Sequence, residues 1–393
     1  MKSIYLDNGS TTPLRKEVLK SALPFFSKIY GNPSSFHSTG LIAKKEMQKS
    51  REKIAKILNC DPNEIIFTGS GTESINLAIK GIAFRELLKG KRGHFITQKT
   101  EHDAVLETFK WLEKLGFSVS YINVNENGIV NLEELKNAIR KDTLLVSIMY
   151  ANNEIGTIQP LKEIAEICHK AKTIFHTDAC QGAEYLDIDT KKLGVDLLTI
   201  NGSKIYSFKG SGLLFKKKEI NIEPLIHGGH QEKNLRSGTE NLAAIVALAK
   251  ALEIAQKEKR IESKRLIKLR EYMISQIEKK IKKVKINGDI KSRLPNNVNV
   301  SFYGVEGESI LLRLNEYGIR ASTGSACSSL NLEPSHVLLA TGIGHELAHG
   351  SIRFTLGKYT TKKEIDFTIK KLENIIPFLR KLSSAWDQKE EIK

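Results

Sequence analysis

Three polar features interrupt apolar runs in this 393-residue chain, and each has the residue types for a distinct chemical task. In "FTGSGTES", residues 67–74, an apolar run stops at Gly-Ser-Gly-Thr and a helical pattern starts at once. Unpaired backbone N–H groups and the positive end of a helix dipole make such a start an anion cradle suited to phosphate. The same residues would also serve as a tight, Ser/Thr-capped turn. In "FHTDACQ", residues 175–181, Asp178 ends an apolar run, where a carboxylate can hold a protonated ring nitrogen or merely cap the next turn. In "LLTINGSKIYSFKGSGLLF", residues 197–215, Lys204 ends another such run, 26 residues after Asp178. A desolvated lysine has a lowered pKa and suits Schiff-base chemistry.

A phosphate cradle, a strand-end carboxylate and a strand-end lysine are together what pyridoxal 5'-phosphate (PLP) requires. The lysine anchors it, the carboxylate keeps its ring nitrogen protonated and the cradle takes its phosphate. A fourth candidate is a thiol. Of Cys60, Cys168, Cys180 and Cys327, none forms a CxxC pair, and four cysteines in this length are no disulfide framework. Cys60, Cys168 and Cys180 lie in or beside apolar segments. Cys327 lies in the small, polar stretch "RASTGSACSSLNLEP", which makes it the candidate nucleophile.

The elements that must position these groups alternate. "EIIFTG", "HFITQ", "SVSYINV", "TLLVSIMYAN", "TIFHTDA" and "VDLLTI" read as strands, and helical patterns such as "TESINLAIKGIAFREL" and "PLKEIAEICHKA" lie between them. This predicts an α/β domain with a mostly parallel sheet. A charged helical stretch from about 240 to 283 reads as a connector, and "NNVNVSFYG", "ESILLRLNEYG" and "SIRFTLG" predict a smaller α+β domain. The expected division is residues 15–257 for the large domain, with 1–14 and 258–393 forming the small one.

The chain is 40% hydrophobic and 27% charged, as in ordinary globular proteins, and no apolar run is long enough to span a bilayer. The start "MKSIYLDNGSTTPL" has no signal-peptide pattern, so a cytoplasmic location is expected. The net charge of +16 comes from lysines interleaved with glutamates and aliphatic residues on helices, which favours a solvated face over a nucleic-acid surface.

The segments "YLDNGSTTPL", "YGNPSSFHSTG", "FTGSGTES", "TEHDAVL", "ANNEIGTIQP", "FHTDACQ", "HGGHQEKNLRSGTEN", "STGSACSS" and "ELAHGSIRFTLG" occur in the order found in a known family. The chain resembles the NifS/IscS-type cysteine desulfurases, PLP enzymes of the aspartate-aminotransferase fold (fold type I) in the class-V aminotransferase group. The resemblance implies that Lys204 carries PLP, Asp178 pairs with the ring nitrogen, Gln181 with the ring hydroxyl, and His102 stacks on the ring and exchanges protons. It implies phosphate contacts from Gly71, Thr72 and Ser203, and from Thr239 across a homodimer. Asn153 would touch cofactor and substrate, Arg353 would clamp the substrate carboxylate, and Cys327 would take the sulfur of L-cysteine, leaving alanine and a persulfide. A sulfur-acceptor protein, such as an iron–sulfur scaffold or a tRNA-thiolation relay, would follow. A selenocysteine lyase or another PLP lyase of this fold, and a catalytically reduced scaffold, are the alternatives.

The family pattern Ser-x-His-Lys followed by a Gly-Pro-Lys-Gly loop is altered here: Ser203 precedes Lys204 and the loop reads "SFKG". "DNGSTT" in place of the common "DNAATT" reads as innocuous. "HELAH", residues 345–349, matches the HExxH zinc pattern formally. Gly350 and a strand-like run follow immediately, so the helix is expected to end at the second histidine, and no metal is expected.

Overall fold

The computed structural model describes residues 3–323, 333–383 and 386. Its largest sheet has seven strands in the order Ile65–Thr68, Gly212–Lys216, Leu197–Asn201, Ile174–Asp178, Thr143–Ser147, His94–Gln98 and Ser118–Ile122. Gly212–Lys216 runs antiparallel to both neighbours, and the other pairings are parallel. The sequence reading of alternating strands and helices therefore holds. The antiparallel strand enters as the return arm of the Lys204 loop, which lays "GLLFK" beside "LLTIN" with Asn201 opposite Gly212. Helices cover both faces, so these strands are apolar nearly throughout rather than alternating.

A second group of elements surrounds the antiparallel sheet Ser351–Thr355, Asn297–Phe302 and Val284–Ile286, together with the parallel pair Ile4–Tyr5 and Ile319–Arg320. The helix Leu242–Lys280 runs through both groups. Its residues up to Ile254 pack in the core around the large sheet, and its residues from Leu266 onward pack in the core around the small one. The expected boundary at 257/258 falls between these two positions. Ile4 and Leu6 join the small-sheet core, whereas Val18 joins the large-sheet core.

The stretch His345–His349 is a single five-residue helix capped at Gly350. Among the described residues no group of three or more His, Cys, Asp or Glu side chains is placed to hold a metal, and no helix is long and apolar enough to cross a membrane.

Candidate active site

The carboxyl ends of five parallel strands open onto a cavity of about 220 Å³. Ligands of open α/β sheets bind at this edge because loops and helix starts converge there. Gly71 and Thr72 follow the first strand, His102 the strand His94–Gln98, Asn153 the strand Thr143–Ser147, Gln181 follows Asp178, and Lys204 follows Asn201; all line the cavity.

The anion side is the start of the helix Gly71–Leu88. Ser70 caps it, its Oγ accepting from Glu73 N at 3.1 Å. Glu73 is held in turn: Gly69 N donates to Oε2 at 2.8 Å and Arg236 Nε to Oε1 at 2.9 Å. The N–H groups of Gly71 and Thr72 are left without intrahelical acceptors, as at any helix start. A side chain on Gly71 would put its Cβ 2.8 Å from Cys180 Sγ and 3.1 Å from Asn201 Cβ, so the cradle requires glycine there.

Lys204 ends a short 3-10 turn, Gly202–Lys204. Its Nζ donates to Gly9 O at 3.0 Å and Ser10 O at 2.5 Å, and Gln181 Nε2 donates to the same Gly9 O at 2.9 Å. Two residues on, buried Tyr206 has φ +60°, a left-handed conformation unfavourable for a bulky side chain. The N-terminal segment stabilises it: Tyr206 N donates to Thr12 Oγ1 at 2.8 Å, and Arg15 N to Tyr206 O at 3.2 Å. In the unusual "SFKG" loop, Ser207 is buried, its N–H donating to Gly202 O at 3.0 Å, and Phe208 faces Phe26 with ring centroids 6.1 Å apart.

Asp178 is buried at the cavity floor, where Cys180 N donates to its Oδ1 at 2.9 Å. Burial pushes its neighbours toward their neutral forms. Burial drives the Glu101 carboxyl well above the usual carboxylate range, and the charge of Asp178 adds to this. Burial also pushes the Cys180 thiol up, again with help from Asp178. His176 is depressed to about 4 by burial, between Ser147 Oγ at 2.8 Å and Thr199 Oγ1 at 3.0 Å.

His102 caps the helix Asp103–Lys114: its Nδ1 accepts from Ala104 N at 3.0 Å, so the neutral ring carries its proton on Nε2. Asn153 Oδ1 is buried with no partner among the described residues. Arg353 lies behind Asn153, donating from one terminal nitrogen to Asn153 O at 3.0 Å and from the other to Asp7 Oδ1 at 3.0 Å and Ser10 Oγ at 2.7 Å.

Three expected residues, Arg353, Ser203 and Thr239, do not line this cavity, and a fourth, Cys327, lies outside the described residues. Ser203 does not line the cavity; its N–H and O–H both donate to Asn201 Oδ1, each at 3.2 Å. Thr239 lines a separate cavity with Gly69, Arg236 and Glu240. Cys327 lies outside the described residues; before it, Arg353 N donates to Ser322 O at 2.6 Å, and after it, Ser335 Oγ donates to Glu154 Oε2 at 2.5 Å. The sequence reading missed Asn201, which occupies the first position of the Ser-x-His-Lys pattern, and the Gly9–Ser10 turn. Ser10 does more than fill space: its hydroxyl accepts from Arg353 and donates to Asp7 at 2.8 Å.

The cavity fits PLP on its own terms: a glycine-only anion cradle, a buried carboxylate, a lysine and an orphaned amide oxygen face one volume. Fold and cavity together define a PLP-dependent enzyme of the aspartate-aminotransferase type, fold type I.

The family model "Aminotransferase class-V" matches residues 4–367. A protein from Dictyoglomus turgidum named cysteine desulfurase IscS is 52% identical, with 97% of this chain and 96% of the relative aligned. One of the same name from Methanosarcina thermophila is 50% identical over 97% of this chain and 94% of the relative. Among solved structures, a NifS-like protein superposes with a TM-score of 0.90 at 40% identity, covering 96% of this chain and all (100%) of the other. SspA, solved in complex with cysteine, superposes with a TM-score of 0.81 at 35% identity, covering 91% of this chain and 100% of the other. The chain belongs to the class-V aminotransferase family, in its NifS/IscS-type cysteine desulfurase branch.

Proposed function

We propose that this protein is a PLP-dependent cysteine desulfurase that converts L-cysteine to L-alanine and passes the sulfur to its own cysteine. The observation that carries the reading is the convergence of Lys204, Asp178 and the Gly71–Thr72 helix start on one cavity. When bound, PLP withdraws electrons through its protonated ring, which acidifies the substrate Cα–H and weakens the hold on sulfur.

Lys204 would be the covalent anchor of the cofactor and would supply the base that moves the substrate Cα proton; its Nζ donates to the Gly9 and Ser10 carbonyls. Asp178 would hold the ring-nitrogen proton, and burial pushes Glu101, Cys180 and His176 toward their neutral forms. Gly71 and Thr72 offer N–H groups to the phosphate. Gln181 faces the ring hydroxyl and Asn153 the cofactor and substrate. His102, with its proton on Nε2, would stack on the cofactor ring and exchange that proton. Arg353 takes the substrate carboxylate. Its two terminal nitrogens are already engaged by Asn153 O, Asp7 and Ser10, so the carboxylate must share or displace those partners. Cys327, as the thiolate, would attack the substrate sulfur: an S–S bond to Cys327 forms as the Cβ–S bond breaks, the electron pair of that bond goes to Cβ, which takes a proton, and alanine and an enzyme persulfide result.

The two-core arrangement supports a division at 257/258, with residues 1–14 joining the second domain. The working form is a homodimer. Five large apolar side chains within residues 26–42 are exposed, Phe26, Tyr30, Phe36, Leu41 and Ile42, with Phe36 at 95% and Tyr30 at 73%, as a surface covered by a partner subunit would be. Thr239 faces a different cavity from Lys204, as expected if it serves the partner's phosphate. A sulfur-acceptor protein for iron–sulfur assembly or tRNA thiolation then relieves Cys327 of its persulfide.

The test is the visible spectrum of the purified protein, followed by L-cysteine with a reductant and simultaneous assay of alanine and sulfide. A yellow protein forming both in equal amounts is the expected result. A protein that stays colourless and inactive with added PLP, or one that makes pyruvate instead, removes the proposal. Sedimentation at micromolar concentration checks the dimer.

A further inference from the structure

The peptide that leads into His102 is held from a distant part of the chain. His336 Nε2 lies 2.9 Å from Glu101 O, 235 residues away in sequence. A carbonyl oxygen only accepts, so the imidazole carries a hydrogen on Nε2 and donates it. Neutral and protonated rings can both make this bond.

His336 is itself firmly placed. It opens the five-residue helix His336–Ala340, which Ser335 caps. Ser335 Oγ accepts from Leu338 N at 3.2 Å and donates to buried Glu154 Oε2 at 2.5 Å. Val337 and Leu338 pack in a small core with Ile155, Ile343 and Ala348. The donor is thus set by packing on one side and a polar anchor on the other.

His102 is pinned from two directions. Downstream, its carbonyl accepts from Val105 N at 2.8 Å and Leu106 N at 3.2 Å, and its Nδ1 accepts from Ala104 N at 3.0 Å. Upstream, the bond from His336 fixes the plane of the Glu101–His102 peptide. That plane is rigid, so tilting it changes φ of His102 and swings the imidazole that lines the cavity.

We infer that His336 is a positioning residue for the reaction: by holding the Glu101–His102 peptide from outside the cavity, it sets the angle of the His102 ring over the cofactor. The inference rests on the PLP reading above. Proton exchange needs heavy atoms within about 2.6 to 3.2 Å, so a ring that exchanges a proton tolerates little tilt. Cofactor uptake depends on other groups, Lys204, Asp178 and the Gly71–Thr72 helix start.

The test uses the full-length holoenzyme. His336→Ala should bind PLP within a few-fold of wild type, while kcat for alanine formation falls roughly 3- to 10-fold, the range for one neutral hydrogen bond, and KM for L-cysteine changes little. His336→Gln, whose NH2 can reach the same carbonyl, should restore most of the loss. His336→Phe fills the space without an N–H and should not. The visible circular dichroism of the bound cofactor reports its asymmetric surroundings without turnover. It should change in the Ala and Phe variants and match wild type in His336→Gln.

The same substitutions in a His102→Gln background separate positioning from a general structural role. A residue that works through His102 has nothing left to position there, so His336→Ala should then cost less than about twofold and leave the dichroism unchanged. If His336→Ala does not fold, the Gln and Phe variants carry the same comparison. Equal losses in both backgrounds, a Phe variant as active as wild type, or a Gln variant as impaired as Phe would overturn the assignment. A wild-type protein that takes up no PLP would sink the cofactor reading itself, a result distinct from these.

Discussion

The floor of the cavity and its rim are assembled in different ways. The floor consists of strand ends from one sheet: Asp178, Asn201 and the turns just beyond them, braced by buried neutral groups. The rim is assembled across the fold. Arg353 reaches Asp7 and Ser10, 346 and 343 residues away in sequence, and its backbone pairs with Ser322. A floor fixed by a parallel sheet can hold a cofactor in one geometry. With Arg353 taking the substrate carboxylate as proposed, a rim built from the small sheet and the chain's start would recognise substrate without disturbing that hold. The contrast predicts that floor substitutions change cofactor binding and spectra, and that rim substitutions change turnover on an intact chromophore.

The sharpest break of that contrast is at Lys204. Lys204→Ala should abolish the covalent chromophore and lower turnover by about 10³-fold or more, since anchor and proton-moving base are lost together. A yellow, active Lys204→Ala protein would refute the assignment. Cys327→Ser should do the reverse, keeping the chromophore and the spectral response to L-cysteine while sulfur transfer drops to background. Persulfide labelling followed by mass spectrometry reads this directly, and label retained on Cys327→Ser would move the acceptor elsewhere.

The same contrast explains what was legible in the sequence. Floor residues could be found because each follows an apolar run within a few positions, so Gly71, Asp178 and Lys204 carry a local signature. The phosphate role given to Ser203 did not match its geometry, because position next to Lys204 does not tell which way a hydroxyl points; only the Asn201 contact shows where its proton goes. The rim left no local trace. "DNGS" reads as an unremarkable turn until folding sets Ser10 between Arg353 and Asp7 and turns the Gly9 and Ser10 carbonyls toward Lys204. The antiparallel strand Gly212–Lys216 was visible only as an apolar run, since pairing direction depends on the length of the loop before it.

Arg353→Gln should leave the absorption spectrum nearly unchanged and raise KM for L-cysteine by roughly 10- to 100-fold, the effect of losing a charge-assisted contact to the substrate carboxylate. An unchanged KM with lost chromophore would place Arg353 with the floor. A smaller effect is expected at Ser10. Ser10→Ala removes one bond to Arg353 and one to Asp7, and the arginine keeps its contacts to Asp7 and Asn153. Each lost bond joins a hydroxyl to a charged group, worth about 1.5 to 3 kcal/mol in place. Because Arg353 and Asp7 keep each other, only part of this reaches the substrate, and kcat/KM should fall several-fold with PLP affinity unchanged. A loss of PLP from Ser10→Ala would show that the turn belongs to the floor through its carbonyls.

The smallest predicted effect concerns the floor's protons. Glu101 is fully buried, with Met149 N donating to its Oε1 at 2.6 Å and no partner for Oε2 among the described residues. Its folded pKa is raised, chiefly by burial, from an ordinary 4.5. Above that ordinary value the unfolded chain has lost this proton and the folded chain still holds it. The unfolded state thus binds fewer protons, and stability falls as pH rises, by up to about 1.4 kcal/mol per pH unit from this one group, until the folded carboxyl itself ionises. Glu101→Gln keeps an acceptor for Met149 N and has no proton to lose. Melting temperatures measured between about pH 5 and pH 8 should therefore decline less steeply with pH in Glu101→Gln than in wild type. Parallel curves would mean that Glu101 is ionised in the folded protein, and the neutral floor around Asp178 would have to be given up.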